Sequence, residues 1–290
     1  MISAIESITC AVRDLDAARR LAQEELGLEA LGEAHASVAL LSAWRHPVHE
    51  SVRLVEFGHA ASPFGRIRLA CFEDARIEGT GLWDAPPSPV PAAGAVALDL
   101  RSDIEPDARA VWNPGGPAFF LPSKPATKRR SATHPALAPV GAVWILATEL
   151  ESASRFYVDA LGYVPGKPLG ELTERASPGI AGTLALHTSE RIDLRHLHSV
   201  HEPRGGVVLV RGAQAARPAL SPRPRLGHPG INLLSCRCDD LDGLARRLRA
   251  LDMEPLTPAM HVSIPGGQPG RVLVVRGPSG ELIEFTDLTD

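Results

Sequence analysis

The sequence has 290 residues, of which 44% are hydrophobic and 22% are charged, enough to bury the core of one large domain or two ordinary ones. The formal net charge of −4 argues against a general nucleic-acid-binding protein, which would normally be basic. The sequence has neither an apolar run of about 18 residues nor a secretory signal pattern at its start, so we expect no membrane span and a cytoplasmic location. The four cysteines lack zinc-like spacing and are typical of reduced thiols.

Two segments of the sequence share one pattern. Residues 8–28 (ITCAVRDLDAARRLAQEELGL) and 143–163 (VWILATELESASRFYVDALGY) each contain a β-type run, an acidic residue followed by Leu, an amphipathic stretch and a closing Leu-Gly. Further pieces recur in the same order, which indicates two homologous halves. The pairs are 50–59 with 190–199, 65–70 with 206–211, and 94–103 with 230–239.

The repeat predicts a division into two domains. We expect an N-terminal domain over residues 1–122 and a C-terminal domain over residues 139–290. The segment between them, residues 123–138, is rich in Pro, Ser and basic residues and has no apolar period, which is typical of a linker.

Each half repeats again within itself. Residues 230–255 follow the same strand, acid-Leu, helix and loop order as residues 143–165, and their helix has one apolar face formed by Leu241, Leu244 and Leu248. Residues 94–122 keep the strand but have room for only a short helix beside two prolines. The sequence therefore predicts four modules of mixed α+β structure, the second of them degenerate.

This order of elements resembles the βαβββ unit of the vicinal-oxygen-chelate superfamily, which includes glyoxalases, bleomycin-resistance proteins and extradiol dioxygenases. The segment GRVLVVRGPSGELIEFTDL (270–288) is the most specific part, because it resembles the family's closing hairpin with a Pro-x-Gly turn before an apolar–apolar–Glu strand. The resemblance covers nearly the whole chain. It implies tandem βαβββ modules arranged in open, curved sheets, with helices on the convex side.

The resemblance also implies a divalent metal on the concave side, with ligands from the first and last strands of a module. The matching positions are Ala142, Asp193, Leu233 and Glu284 in the C-terminal half, and Ser7, Arg53 and Ala97 in the N-terminal half. Two carboxylates alone form a poor site for iron or zinc, which favour imidazole or thiolate ligands. We therefore expect no metal. If Fe, Mn, Zn or Ni is bound, the expected ligands are Glu284, Asp193 and His196.

Strand alternation predicts which side chains share the concave face. The face opposite the uniformly apolar one collects a large aromatic and several polar groups, namely Trp144, Arg191, Asp193, Arg195, Ser235, Arg237 and Glu284, with His261 as a further member. These charges could simply form surface ion pairs, such as Arg195 with Asp193 or Arg237 with Glu284, each contributing ~0–1 kcal/mol. The alternative is a pocket in which an arginine binds an enolate oxygen and Glu284 moves a proton.

Three functions follow from these residues and the resemblance. The first is a lyase- or isomerase-type enzyme acting on a small oxygenated organic molecule through an enolate. Its catalytic residues would be Glu284, Asp193 and His261, and its substrate-binding residues Arg195, Arg237, Trp144 and Ser235, with the N-terminal half as scaffold. The second is a non-catalytic binding or resistance protein. The third is a metal-dependent dioxygenase or glyoxalase with rearranged ligands. Each acts on a small molecule, and both a monomer and a homodimer stay open.

Overall fold

The computed structural model describes residues 1–60, 62, 64–72, 94–99, 108–112, 118–122, 140–166, 192–211, 226, 230–263 and 269–288. Its elements follow the predicted modular order. The first module comprises β1 (Ile2–Ala11), α1 (Leu15–Arg20) continued by a π-helical turn (Leu21–Glu25), β2 (Glu29–His35), α2 (Val38–Ala43), β3 (Val52–Gly58) and β4 (Arg66–Phe72).

The second and third modules supply the middle of the chain. In the second, the described elements are β5 (Gly94–Asp99), β6 (Ala108–Trp112) and β7 (Ala118–Pro122). The third comprises β8 (Ala142–Leu146), α3 (Leu150–Arg155) continued by a π-helical turn (Phe156–Ala160), β9 (Val164–Pro165), β10 (Asp193–Ser199) and β11 (Glu202–Arg211). The shortened helix predicted after Asp103 and the linker 123–138 lie outside the described residues, so both stay predictions.

The fourth module contains the motif that carried the resemblance. It comprises β12 (Gly230–Cys238), α4 (Leu241–Ala250), β13 (Met260–Ser263), β14 (Pro269–Arg276) and β15 (Leu282–Leu288). Asp240 caps α4 through its side chain, which accepts a hydrogen bond from the Gly243 N–H at 2.7 Å. Asp14 caps α1 in the same way, accepting from the Ala17 N–H at 2.8 Å. These caps explain the acid-Leu pairs at Asp14 and Asp240, whereas Glu149 at the start of α3 makes no side-chain cap hydrogen bond. No helix in the described part of the chain is long and apolar enough to span a membrane.

The strands form two sheets, and each sheet draws on both halves of the chain. The eight-stranded sheet has the order β13-β14-β15-β12-β1-β4-β3-β2, and the seven-stranded sheet has the order β6-β7-β5-β8-β11-β10-β9. The first sheet joins the first and fourth modules through antiparallel pairing of β1 with β12, which sets Ser7 opposite Ser235. Within each module the last strand lies parallel to the first, as β4 does to β1 and β15 to β12.

The predicted alternation of apolar and polar residues holds in the eight-stranded sheet. One face contributes Ile8, Leu234 and Phe285 to a continuous core that also contains Val143 of the other sheet and Leu244 of α4. The opposite face packs against α2 and forms a second apolar cluster, which includes Leu40, Leu41, Leu54, Leu233 and Val274. We call this opposite face, which also carries Ser7, Ser235 and Glu284, the α2 face.

Candidate functional site

Glu284 lies at the centre of the α2 face and is only 2% exposed. Strand pairing sets it beside Ser235, whose hydroxyl donates to Glu284 Oε1 at 2.9 Å. The indole Nε1–H of Trp44 donates to Glu284 Oε2 at 2.5 Å. Each carboxylate oxygen therefore has one donor, and the two donors come from opposite halves of the chain. Together they fix the orientation of the carboxylate.

Trp44 reaches Glu284 because of the way α2 packs. Ser37 caps the start of this short helix, accepting from the Leu40 N–H at 3.2 Å. Leu40 and Leu41 are then buried in the cluster on the α2 face, and the helix ends at Trp44 with its ring also buried. The helix packs on β13 and β14, and Trp44 at its end reaches Glu284 on the neighbouring strand β15.

Arg68 on β4 is the second charged group of the site. Its side chain is 6% exposed, with Nη1 3.8 Å from Glu284 Oε1 and Nη2 3.7 Å from Glu56 Oε1. These separations balance the charge of the guanidinium but are too long for hydrogen bonds. Its Nε and Nη1 atoms have no hydrogen-bond partner among the residues that the structure describes. The charge of Arg68 is thus balanced by two carboxylates, but some of its N–H groups have no acceptor in the described part of the chain. These N–H groups are available to donate to the oxygen of a ligand.

Two buried hydroxyls accompany these Arg68 atoms. The Oγ atom of Ser7 and the Oγ1 atom of Thr9 also lack hydrogen-bond partners within the described ranges. Both are on β1, and the parallel register sets Thr9 beside Arg68 and Ser7 beside Arg66. Buried polar atoms in proteins are nearly always hydrogen-bonded, so a cluster that lacks partners indicates a site for a ligand or an ordered water.

The remaining charges of this face pair with one another. Arg237 Nε lies 3.2 Å from Glu6 Oε1, and Arg66 Nη1 lies 3.3 Å from Glu56 Oε2. Burial raises the pKa of Glu6, while Arg237 and Arg66 oppose the rise. Arg237 therefore pairs with Glu6, in place of the Arg237–Glu284 pair considered from the sequence. These pairs form a partly exposed rim around the buried group.

Four of the residues predicted for the site lie in the seven-stranded sheet instead. Trp144 is buried on β8, and Asp193, Arg195 and His196 are on β10. The expectation that Asp193 and Arg195 face a common pocket with Glu284 was wrong. The Arg195 guanidinium pairs with Glu151 of α3. Leu197, two residues further along, packs into the continuous core that contains the helices. Asp193 is exposed on that same side of β10 by alternation.

The reason for this error is the order of strands within a module. The sequence pattern predicted β3 and β10 as the last strands of the first and third modules, whereas β4 and β11 are the strands parallel to β1 and β8. The position equivalent to Glu284 is thus Arg66 in the first module and Val208 in the third, not Arg53 and Asp193. The position equivalent to Ser7 is Ser235, two residues beyond Leu233. In the other sheet the equivalent first-strand pair is Ala97 and Trp144.

His261 is also turned away from Glu284. It lies on β13 between Met260 and Val262, and both of these neighbours pack into the cluster on the α2 face. Alternation therefore directs His261 to the opposite side, where it is exposed. The prediction that it joins the polar group was wrong because it assumed the reverse face for this edge strand.

The residues at the matched positions do not fit a divalent metal. The eight-stranded sheet offers one carboxylate, Glu284, two hydroxyls, Ser7 and Ser235, and one arginine, Arg66, where the resemblance implies ligands. The cationic Arg68, 3.8 Å from the Glu284 carboxylate, opposes a second cation there. Within the described part of the chain, no group of three or more His, Cys, Asp or Glu residues is arranged to hold a metal ion. His196, the expected third ligand, is in the other sheet.

Known structures share this architecture. A mutant of glyoxalase I from Zea mays aligns with 98% of this chain and 92% of its own, at 14% identity and a TM-score of 0.56. A proposed dioxygenase from Bacillus subtilis subsp. subtilis str. 168 aligns with 99% of this chain and 85% of its own, at 13% identity and a TM-score of 0.58. No protein-family model and no curated protein sequence matches the chain.

These alignments define the class of fold. The chain has the fold of the glyoxalase and dioxygenase proteins over nearly its whole length, which confirms the α+β fold that the sequence and the resemblance predicted.

Arg68 and Trp44 were not among the site residues predicted from the sequence. Arg68 could have been found from the segment GRIRLA, because Arg66 and Arg68 alternate with apolar residues and so share a face. Trp44 carried no such signal. It belongs to a helix inserted between two strands of the first module, and its partner Glu284 is 240 residues away in the sequence.

Proposed function

We propose that the chain binds a small oxygenated organic molecule on the α2 face and transfers a proton within it, without a metal. The observation that supports this proposal is the group of buried polar atoms without partners among the described residues, Arg68 Nε and Nη1, Ser7 Oγ and Thr9 Oγ1, beside the Glu284 carboxylate. The Arg68 N–H groups and the two hydroxyls can all donate to a carbonyl or carboxylate oxygen of a ligand.

The chemistry follows from how the charges are arranged. Glu284 would remove a proton from the carbon next to a ligand carbonyl, and the carbonyl oxygen would become an enolate oxygen. Negative charge would then leave the carboxylate and develop on the enolate, while Arg68 remains close to both. The net charge of the buried site stays constant during the step, so no new counter-ion is needed. Removing a donor of this kind typically lowers the rate by about 10²–10³-fold.

This proposal revises the roles expected from the sequence. Glu284 keeps its role as acid or base, and Ser235 with Trp44 orients it. Arg68 takes the role expected of Arg195 or Arg237, because its Nη1 lies within 4 Å of Glu284 Oε1. We propose no role for Asp193 or His261. The N-terminal half then contributes Trp44 and Arg68 to the site in addition to acting as a scaffold.

Access to the site requires a movement of the chain. Arg68, Glu284 and Thr9 are all buried, and Trp44 at the end of α2 contacts Glu284. We therefore propose that α2 shifts to admit a ligand. The ligand then forms hydrogen bonds with the buried polar atoms of Arg68, Ser7 and Thr9.

A second candidate is a protein that binds the same ligand without turning it over. It is favoured by one observation, which is that both oxygens of Glu284 already accept a hydrogen bond from Trp44 or Ser235. A carboxylate held in this way would serve to position Arg68. The low aromatic content of 4% counts against a groove for planar, aromatic ligands of the drug-sequestering kind.

Hydrogen–deuterium exchange of candidate ligands distinguishes these functions. The protein is incubated in D2O with a panel of 2-oxo acids, hydroxyketones and 1,3-dicarbonyl compounds, and the loss of the C–H signal next to the carbonyl is followed by NMR. We expect Glu284→Gln to abolish exchange while binding is retained, and Arg68→Lys to weaken both.

The controls for this experiment use the same chain. Glu33→Gln removes an exposed glutamate that pairs with Arg19 and is expected to leave exchange unchanged. Binding that disappears in Arg68→Lys without any exchange by the wild type would select the non-catalytic function. Exchange that is unaffected in Glu284→Gln would refute the assignment of the base.

A further inference from the structure

A separate open cleft of about 740 Å3 lies between α4, the segment 254–259 and the end of α2. Its charged lining residues are Arg45, Asp242, Arg246, Arg249 and Glu254. Its apolar lining includes Leu241, Ala245, Leu256 and Leu273. The cleft therefore combines arginines with an apolar floor, which is the composition of a site for an organic anion.

The acidic residues of this cleft already have partners. Asp242 accepts from Arg271 Nη1 at 3.1 Å, and Glu254 lies 3.3 Å from Arg249 Nε. Arg45 and Arg246 have no acidic partner among the described residues. Two guanidinium groups with uncompensated charge thus line one cleft, and each can donate two parallel hydrogen bonds to a carboxylate or phosphate.

Arg45 also occupies a backbone position at which glycine is usual. Its φ of 55° is left-handed, and it immediately follows α2. The Arg45 N–H donates to the Ser42 carbonyl at 3.0 Å and the His46 N–H donates to the Leu41 carbonyl at 2.9 Å, the pattern of a Schellman cap. An arginine here costs conformational free energy that a glycine would not. An outlier of this kind is often retained for what its side chain does.

We propose that this cleft is a second binding site, specific for a small organic anion with an apolar body. Arg45 and Arg246 bind the carboxylate or phosphate, and the apolar body lies on the partly exposed Ala245, Leu256 and Ala259. The cleft wall is linked to α2, because Thr257 Oγ1 donates to the Ala43 carbonyl at 3.3 Å. The helix that ends at Trp44, the hydrogen-bond donor to Glu284, therefore also borders this site.

Substitution of Arg45 by glycine tests the proposal with two opposite readouts. Arg45→Gly removes the guanidinium and relieves the left-handed backbone, so we expect a higher melting temperature together with weaker anion binding. The probes are phenyl phosphate and benzoate, with inorganic phosphate as the anion without an apolar body, all measured by titration calorimetry. Losing one charge-assisted pair should weaken phenyl phosphate binding by about tenfold or more. Arg246→Ala should do the same.

Asp252→Gly is the matched control. Asp252 has a φ of 57° at the same kind of helix end, with its N–H donating to the Arg249 carbonyl at 3.0 Å, but it does not line the cleft. This variant should gain stability and bind phenyl phosphate as the wild type does. The proposal is overturned if the wild type shows no saturable binding of either organic anion, or if Arg45→Gly and Arg246→Ala bind normally. Inorganic phosphate binding as tightly as phenyl phosphate would also overturn it.

Discussion

Glu281 provides a pH-dependent test of how the third and fourth modules are joined. It lies between the Pro-x-Gly turn and β15 and is 3% exposed. Its Oε1 accepts from the Tyr157 hydroxyl at 2.9 Å, and its Oε2 accepts from the Ser279 N–H at 3.0 Å. Tyr157 belongs to the helix of the third module, so this bond links the two modules. Gly277 leaves room for it, since a Cβ there would lie 2.3 Å from Oε1.

Burial raises the pKa of Glu281 from 4.5 to about 7, because desolvation of the carboxylate outweighs the hydrogen bonds that it accepts. A carboxyl whose pKa is higher in the folded state stabilises the fold below its unfolded pKa and loses that contribution as the pH rises through the folded value. The loss therefore falls between about pH 4.5 and pH 7. Relative to acidic pH, the free energy of unfolding is therefore lower by about 3 kcal/mol at pH 8 and by less than about 1 kcal/mol at pH 5.

Glu281→Gln imitates the neutral acid at every pH. Its amide oxygen can accept from the Ser279 N–H, and its NH2 group can donate to the Tyr157 oxygen. Urea unfolding at pH 5 and pH 8 should show the variant gaining roughly 2–3 kcal/mol relative to the wild type between the two pH values. Tyr157→Phe removes a hydrogen bond that stabilises the carboxylate. In this variant the free energy of unfolding should therefore fall more between pH 5 and pH 8 than it does in the wild type. Parallel pH profiles for wild type and Glu281→Gln would refute the reasoning.

The remaining predictions concern packing and reactivity. Trp44→Phe removes the donor to Glu284 and keeps a ring under α2, so the free energy of unfolding in urea should fall by about 1–3 kcal/mol; unchanged stability would argue against this bond. Leu244→Ala should lower it by about 2–5 kcal/mol, while the control Leu251→Ala, at an exposed position, should change it little. Burial raises the pKa of the Cys236 thiol to about 12, so alkylation of the native protein should label the partly exposed Cys71 first, as read by peptide mass spectrometry; early labelling of Cys236 would contradict its burial.

The fold could be predicted because its signals are local and repeated. The acid-Leu pairs mark helix starts, as the caps at Asp14 and Asp240 confirm, and the apolar face of α4 is buried as its spacing predicts. Alternation also assigned the faces of β12 and β15 correctly, which put Ser235 and Glu284 on one face of the sheet. Each of these inferences needs only the residues of one element and its neighbours.

The composition of the site depended on pairing between distant strands. The residues of a single strand do not determine which strand of the module lies parallel to the first. For this reason β3 and β10 were mistaken for β4 and β11. Asp193 was consequently assigned to a group that it does not join, and Arg68 was overlooked. The pairing of β1 with β12 is equally non-local, and it is what brings Arg68 and Trp44 of one half to Glu284 of the other.

We propose that Arg68 supplies the positive charge beside Glu284 and that no metal binds there. Elemental mass spectrometry of protein purified without chelator, repeated on Glu284→Ala, tests it most directly. We expect iron, manganese, zinc and nickel to be far below one atom per chain in both proteins. A near-stoichiometric amount of any of these metals in the wild type, lost in Glu284→Ala, would contradict the claim and favour a metal-dependent enzyme.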